Sequence, residues 1–238
     1  MQKVLITGAS GFVGSRLACA MSDGYELLTP SHREFDITSL QAVRSYIGCH
    51  RPDAIVHLAA LSNTGYCEEH PHDSYLVNVT GVENLARIAA EYGCKFIFFS
   101  SDQVYNGNLE MGLLDETLSV APENHYGRHK LQAEERALEL CPDCVALRAT
   151  WMYDTPQAGM HTHRNFIVNV KEAIHHGTPL RFATREFRGI TWVGEVVRNL
   201  PHTFHLPGGV YNFGAENRLN TYETALAYLR ILQCSDLS

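Results

Sequence analysis

The chain has 238 residues, 45% hydrophobic and 19% charged; this is a globular composition, long enough for one large domain or a domain with a small lobe, and it excludes a disordered protein. Lys and Arg total 19 against 26 Asp and Glu, a net charge of −7, so the basic footprint of a nucleic-acid binder is missing. No apolar run approaches the roughly 18 residues of a membrane span. Met1 to Ile6 also runs straight into a strand pattern and glycines rather than a signal peptide, which makes the cytoplasm the expected compartment.

Strand and helix patterns alternate along the first 150 residues. Lys3 to Thr7 reads as a strand, Gly14 to Ser22 as a helix, and Tyr25 to Thr29 as a second strand. Ser39 to Cys49 is helical, with Thr38 or Ser39 as its N-cap. Ala54 to Ala60 is a continuous apolar strand of the kind buried on both faces of a parallel sheet. Asp73 to Tyr92 predicts one long helix closed by Gly93. Lys95 to Ser100 is a strand, Tyr126 to Leu140 a helix with a charged outer face, and Val145 to Thr150 a strand. This alternation predicts βαβ units, hence an α/β fold with a Rossmann-type doubly wound parallel sheet over residues 1–150. Residues 151–238 predict a smaller, interleaved C-terminal substrate lobe. In it, Trp151 to Arg164 reads as a loop, Asn165 to His176 as a helix, and the region near Leu180 as a short strand. A helix from Gly194 to Leu200, a strand from Val210 to Phe213 and a last helix from Thr221 follow.

The chemistry begins at the first strand–helix junction, Thr7-Gly8-Ala9-Ser10-Gly11-Phe12-Val13-Gly14. Gly8 permits a tight turn, Gly11 admits a pyrophosphate to the backbone, and Gly14 lets helix and strand pack closely. The helix N-terminus adds free N–H groups and partial positive charge. At the end of the second strand the chain reads Thr29-Pro30-Ser31-His32-Arg33 in place of an acidic residue. A hydroxyl and a guanidinium suit a 2′-phosphate, which favours NADP(H) over NAD(H); the alternative is that Arg33 is a solvated loop charge. Tyr126 and Lys130 are spaced to share a helical face. An ammonium beside a phenol favours the phenolate and lowers the Tyr126 pKa from about 10, priming it to exchange a proton with a carbonyl. Ser100-Ser101-Asp102 ends the preceding strand at the sheet edge where such folds bind ligands, and Ser101 is placed to donate to the same oxygen. Ser101, Tyr126 and Lys130 are therefore the candidate catalytic set for hydride transfer at a carbonyl.

With these motifs the chain resembles the extended short-chain dehydrogenase/reductases, and within them the dTDP-4-dehydrorhamnose reductase family of sugar-nucleotide-binding reductases. The resemblance runs from about Lys3 to about Thr221. Besides the motifs above it rests on Phe35-Asp36-Ile37-Thr38, His57-Leu58-Ala59-Ala60, Asn78, Val104-Tyr105 and Leu147-Arg148-Ala149-Thr150-Trp151-Met152-Tyr153. It implies that Gly8, Phe12, Val13 and their neighbours Ser10, Gly11 and Gly14 hold the pyrophosphate. Asp36 and Ile37 would lie against the adenine, and Ala59, Ala60, Leu61 and Asn78 would line the cofactor. Lys130 would bond the nicotinamide ribose and Tyr126 would be the proton donor. Asp102, Gln103 and Trp151 would face the sugar. The implied function is NAD(P)H-dependent reduction of a keto group on a nucleotide-activated sugar, with a homodimer as an open option. Family members usually read Ser-Thr-Asp-Tyr-Val-Phe where this chain has Ser-Ser-Asp-Gln-Val-Tyr. Ser101 keeps the hydroxyl, Gln103 changes a substrate-facing group, and the missing acidic pair disfavours dehydration. Family members also commonly continue beyond the last helix, so an open nucleotide-diphosphate pocket is expected. Two alternatives remain: a non-catalytic dinucleotide-binding regulatory subunit, and a sugar-nucleotide epimerase.

Other features read as structural. The seven cysteines are an odd, scattered set that suits reduced thiols, Cys141-Pro-Asp-Cys144 a connecting loop, and Cys67 a small filler near the cofactor mouth. Among 13 histidines, neither His161 and His163 nor His175 and His176 has ligand-spaced partners, so no metal is expected. Phe187 and Trp192 are expected to pack within the lobe.

Overall fold

Six strands form one parallel sheet in the computed structural model, which describes residues 1–109, 112–155, 160 and 165–235. They are β1 (Lys3–Thr7), β2 (Glu26–Leu28), β3 (Ala54–His57), β4 (Lys95–Ser101), β5 (Val145–Ala149) and β8 (Gly209–Phe213), in the spatial order β2-β1-β3-β4-β5-β8. Side chains alternate across it with period two. Leu5, Ile55, Phe96, Phe98 and Ala146 point to one face. That face is covered by α2 (Leu40–His50), α5 (Gly81–Tyr92) and α6 (His125–Leu140). Val4, Ile6, Val56, Ile97, Phe99 and Leu147 point to the other. There they meet α1 (Phe12–Met21) together with Val196, Leu200 and Phe204. Both faces are buried, which explains why the central strands are almost entirely apolar.

Ser39 caps α2 by accepting from the Ala42 amide at 3.3 Å, and Gly93 closes α5 in the left-handed region at φ +70°, as the sequence predicts. The helical run expected from Asp73 to Tyr92 is continuous, as α4 (Pro71–Tyr75), a π-helical turn (Leu76–Thr80) and α5, and the π-turn within it was not expected. A further helix, α3 (Thr64–Glu69), precedes them. Its N-cap is Asn63, whose side chain accepts from the Tyr66 amide.

Beyond residue 150 the expectations need correction. A short strand β6 (Trp151–Tyr153) opens the stretch read as a loop, and it pairs in parallel with β7 (Ile190–Trp192). No strand forms at Leu180. After β7 come α8 (Val193–Asn199), a 3₁₀ turn (Leu200–His205) and β8. Residues beyond 150 interleave with the main sheet: β8 pairs with β5 along its length and α8 packs on α1. The chain thus leaves the main sheet for α7 (Phe166–His176) and β7, returns for β8, and leaves again for α9 (Thr221–Ser235). Phe187 and Trp192 are exposed rather than packed within the lobe, and Trp192 Nε1 donates to Asp154. His161 and His163 lie outside the described residues.

Candidate active site

At the carboxyl ends of β1, β3, β4 and β5 lies a cleft of about 1070 Å³. The glycine turn forms one wall. Gly8 sits at φ +72°, and a Cβ there would lie 2.7 Å from the Ala59 amide nitrogen. A Cβ on Gly14 would lie 2.1 Å from the Gly8 carbonyl oxygen. Hydrogen only is therefore tolerated at both positions. Gly11 is the N-cap of α1 and brings no side-chain cap, and the first turn carries no acidic residue. The first amides of α1 are left for an anion, so the cradle fits a pyrophosphate.

The end of β3 completes this wall. Thr7 Oγ1 lies 2.6 Å from Nδ1 of the buried His57, and burial lowers the His57 pKa to about 3. Leu58 and Ala60 line the cleft. Asn78 acts from behind: its side chain accepts from the Leu61 amide at 3.0 Å and donates to the Leu61 carbonyl at 2.9 Å. Asn78, Ala59 and Leu61 are not among the lining residues and shape the wall indirectly.

On the opposite side stand Ser101, the last residue of β4, and Tyr126, in the first turn of α6. Asn124 caps α6 by accepting from the Gly127 amide at 2.7 Å, and Gln103 Oε1 accepts from Asn124 Nδ2 at 2.9 Å. The Gln103 side chain therefore holds the start of the helix that carries Tyr126. The Ser101 hydroxyl accepts from the Gln103 amide at 3.2 Å and is near enough to the Tyr126 phenol to lower its pKa. Lys130, one turn along α6, is 2% exposed and donates to the Phe99 carbonyl at 2.8 Å. Its Nζ lies 5.8 Å from the centre of the Tyr126 ring, and burial lowers its pKa to about 8. The expectation of an acidified Tyr126 is corrected: burial drives the phenol above its ordinary value, outweighing the influence of the Ser101 hydroxyl. A phenolate deprived of water costs more than one neighbouring donor returns.

Asp102, Gln103 and Trp151 also line the cleft, joined by Glu186 and Arg188, which sequence reasoning missed. The Arg188 guanidinium takes the Asp102 carboxylate through Nη2 at 2.9 and 3.0 Å and Nε at 3.2 Å, and its Cζ lies 3.8 Å over the Trp151 ring. Sequence reasoning also missed a buried pair behind the site, Glu134 with Arg148, at 2.8 Å. The signal for it was present: a Glu four residues after Lys130 and an Arg inside an apolar strand both demand partners.

Besides Ala59, Leu61 and Asn78, five more expected cofactor residues are not among those that line the cleft. Ser31 and Arg33 are exposed beyond β2, and Ser31 gives its amide and hydroxyl to the Glu34 carboxylate at 2.8 and 2.7 Å. Asp36 accepts from the amide and hydroxyl of Thr38. Ile37 is buried in the core beneath Gly81. Ser10 is exposed at the tip of the glycine turn and also lies off the lining. Cys67 is buried with Sγ 3.4 Å from the Leu61 carbonyl, and Cys141 and Cys144 are free thiols in the turn between α6 and β5. Among the described residues no His, Cys, Asp and Glu group could hold a metal ion, and no helix is long and apolar enough to cross a membrane.

Comparison with known proteins gives the same outline. A family model described as the RmlD substrate binding domain matches residues 1–236. The spore coat polysaccharide biosynthesis protein SpsK of Bacillus subtilis is 26% identical over 96% of this chain and 79% of its own length. The dTDP-4-dehydrorhamnose reductase of Aggregatibacter actinomycetemcomitans is 28% identical over 95% of this chain and 78% of its own. The crystal structure of dTDP-4-dehydrorhamnose reductase from Bacillus anthracis in complex with NADP superposes with a TM-score of 0.88, at 24% identity, covering 98% of this chain and 82% of that one.

Proposed function

We propose an activity from one premise: the chain belongs to the RmlD substrate-binding domain family. The activity is reduction, dependent on NAD(P)H, of a keto group on a nucleotide-activated sugar, as the name dTDP-4-dehydrorhamnose reductase borne by a relative describes. One observation carries the reading: the Ser101–Tyr126 hydroxyl pair opens onto the same cleft as a glycine turn with no room for a Cβ.

The glycine turn and the uncapped start of α1 would hold the pyrophosphate, and Lys130 the nicotinamide ribose. NADP(H) is favoured over NAD(H), with Arg33 as the residue facing the 2′-phosphate, since Ser31 already serves Glu34. The nicotinamide supplies the hydride when bound. Trp151, Arg188 and the start of α9, with Asp102 and Gln103, would form the sugar side, and the glycine turn with the end of β3 the dinucleotide side. The free cysteines of the described residues suit a reducing compartment such as the cytoplasm.

Tyr126 begins the reaction as a neutral phenol, because burial keeps its proton on at physiological pH. As negative charge builds on the substrate oxygen, Tyr126 hands over that proton and Ser101 donates a hydrogen bond to the same oxygen. Lys130 places a positive charge on the same helix as the phenolate that remains, and so lowers the cost of the transfer.

The test is an absorbance assay with NADPH and dTDP-4-dehydrorhamnose. One NADPH should be consumed per sugar, and Tyr126→Phe should lower kcat by at least a hundredfold while dinucleotide affinity stays within twofold. An active Phe variant rejects the assignment. Tight dinucleotide binding with no net consumption by the wild type would support the regulatory-subunit or epimerase reading instead.

A further inference from the structure

Asp102 and Arg188 are 86 residues apart in sequence and meet at the sugar end of the cleft. Their side chains are 19% and 12% exposed. A carboxylate so enclosed, next to an oxygen that must become negative, is unfavourable on two counts. It loses hydration, and its charge opposes the charge that forms in the reaction. Tyr126 feels that charge, since Asp102 raises its pKa and Arg188 lowers it. Arg188 answers both problems. It grips both carboxylate oxygens through a planar fork, the geometry in which Arg outperforms Lys.

Arg188 is itself held in place. Its carbonyl accepts from Asn217 Nδ2 at 3.0 Å, and Asn217 is tied to Thr224 on α9 at 2.9 Å. Gly189, the next residue, lies so close to Thr150 that a Cβ would come within 2.5 Å of Thr150 Cγ2. The guanidinium is stacked on Trp151, which fixes its plane. This arrangement is a built one, assembled from β4, β6, β7 and α9.

We propose that Arg188 is a positioning residue for the sugar: it clamps Asp102 as a hydrogen-bond acceptor for a substrate hydroxyl beside the keto group, and cancels the Asp102 charge at the reacting oxygen. The proposal rests on the reading of the site as a keto-sugar reductase. The groups facing Asp102 among the described residues are Ser101 from β4, Tyr126 from α6, and Arg188 and Glu186 from the segment before β7. Burial raises the Asp102 pKa and Glu186 adds to the rise, whereas Arg188 and the Ser101 hydroxyl oppose it. Loss of Arg188 therefore leaves only the weaker opposing group, and Asp102 takes up a proton at higher pH.

Two measurements on the full chain test this. The first follows the Asp102 carboxyl by ¹³C NMR against pH, with the resonance identified by its absence in Asp102→Asn. In Arg188→Gln the midpoint should rise by about 1 pH unit or more, the scale on which an adjacent Arg acts on a carboxylate. The second measures kcat and KM for dTDP-4-dehydrorhamnose from pH 5 to 9. Arg188→Gln should raise KM by at least about tenfold, as expected for a lost charge-assisted hydrogen bond, and shift the acid limb upward. Arg188→Lys should recover part of both, and NADPH affinity should not change. An unmoved midpoint, or a KM within twofold of wild type, overturns the proposal. If the wild type reduces no keto sugar, the functional reading fails, and the NMR midpoint still decides whether Arg188 clamps Asp102.

Discussion

Lys130 carries its ammonium into a place almost sealed from water, with the Phe99 carbonyl as its bonded partner. Its pKa falls from 10.5 to about 8. Between those values the unfolded chain binds a proton that the native chain does not, so stability rises with pH across this window and is lost again as pH falls toward 8. The wild type should therefore gain about 3 kcal/mol relative to Lys130→Met between pH 7 and pH 10.5. Urea unfolding of both proteins over that range measures it, and a constant difference would refute it. The pairing of Tyr126 with Lys130 was legible in the sequence, because a spacing of four on a helix puts two side chains on one face. The acidity of Tyr126 was not. The Tyr–Lys spacing suggests a lowered pKa, and burial reverses it, because burial is a property of everything packed around the ring.

At the scale of elements, the β1–α1 junction is the part most fully written in the chain. Gly8 and Gly14 are required by close backbone approach, and no other residue type meets both demands. Gly14→Ala sets a methyl group 2.1 Å from the Gly8 carbonyl oxygen, a clash with backbone that side-chain rotation cannot relieve. It should cost at least tenfold in NADPH affinity by fluorescence titration. Gly24→Ala, where a Cβ meets nothing within 4 Å, should leave affinity unchanged; equal affinity in both variants would remove the glycine turn from the site. The π-helical turn before α5 was hidden for a different reason. Residues 73–92 have helical periodicity throughout. The extra residue of the π-helical turn instead serves two distant neighbours at once: Asn78 meets Leu61, and Gly81 meets Ile37.

At the scale of the whole molecule, Arg16 and Asp154 join the helix that opens at the glycine turn to the segment that follows β6. Arg16 Nε lies 2.7 Å from Asp154 Oδ2, and the two side chains are 6% and 4% exposed. Asp154 Oδ1 also accepts from Trp192 Nε1, and the Asp154 carbonyl accepts from Asn165, the cap of α7. Removing one charge strands the other. Arg16→Met and Asp154→Leu should each cost about 3–5 kcal/mol by denaturant unfolding, and the double variant should be less destabilised than either. Additive losses would show that the pair carries no coupling between the two sides of the cleft.

The sequence by itself determined the parallel sheet, the glycine turn, and the placing of Tyr126 and Lys130 one helical turn apart, because each depends on periodicity or spacing within a few residues. Tertiary structure alone decided which residues around the cleft meet. Arg188 finds Asp102, Arg16 finds Asp154, and β8 returns to β5 across long stretches of chain. The physical reason is that a local pattern can place a side chain on a face of a helix or strand. Burial and charge pairing are fixed only when separate elements close on one another and exclude the water between them.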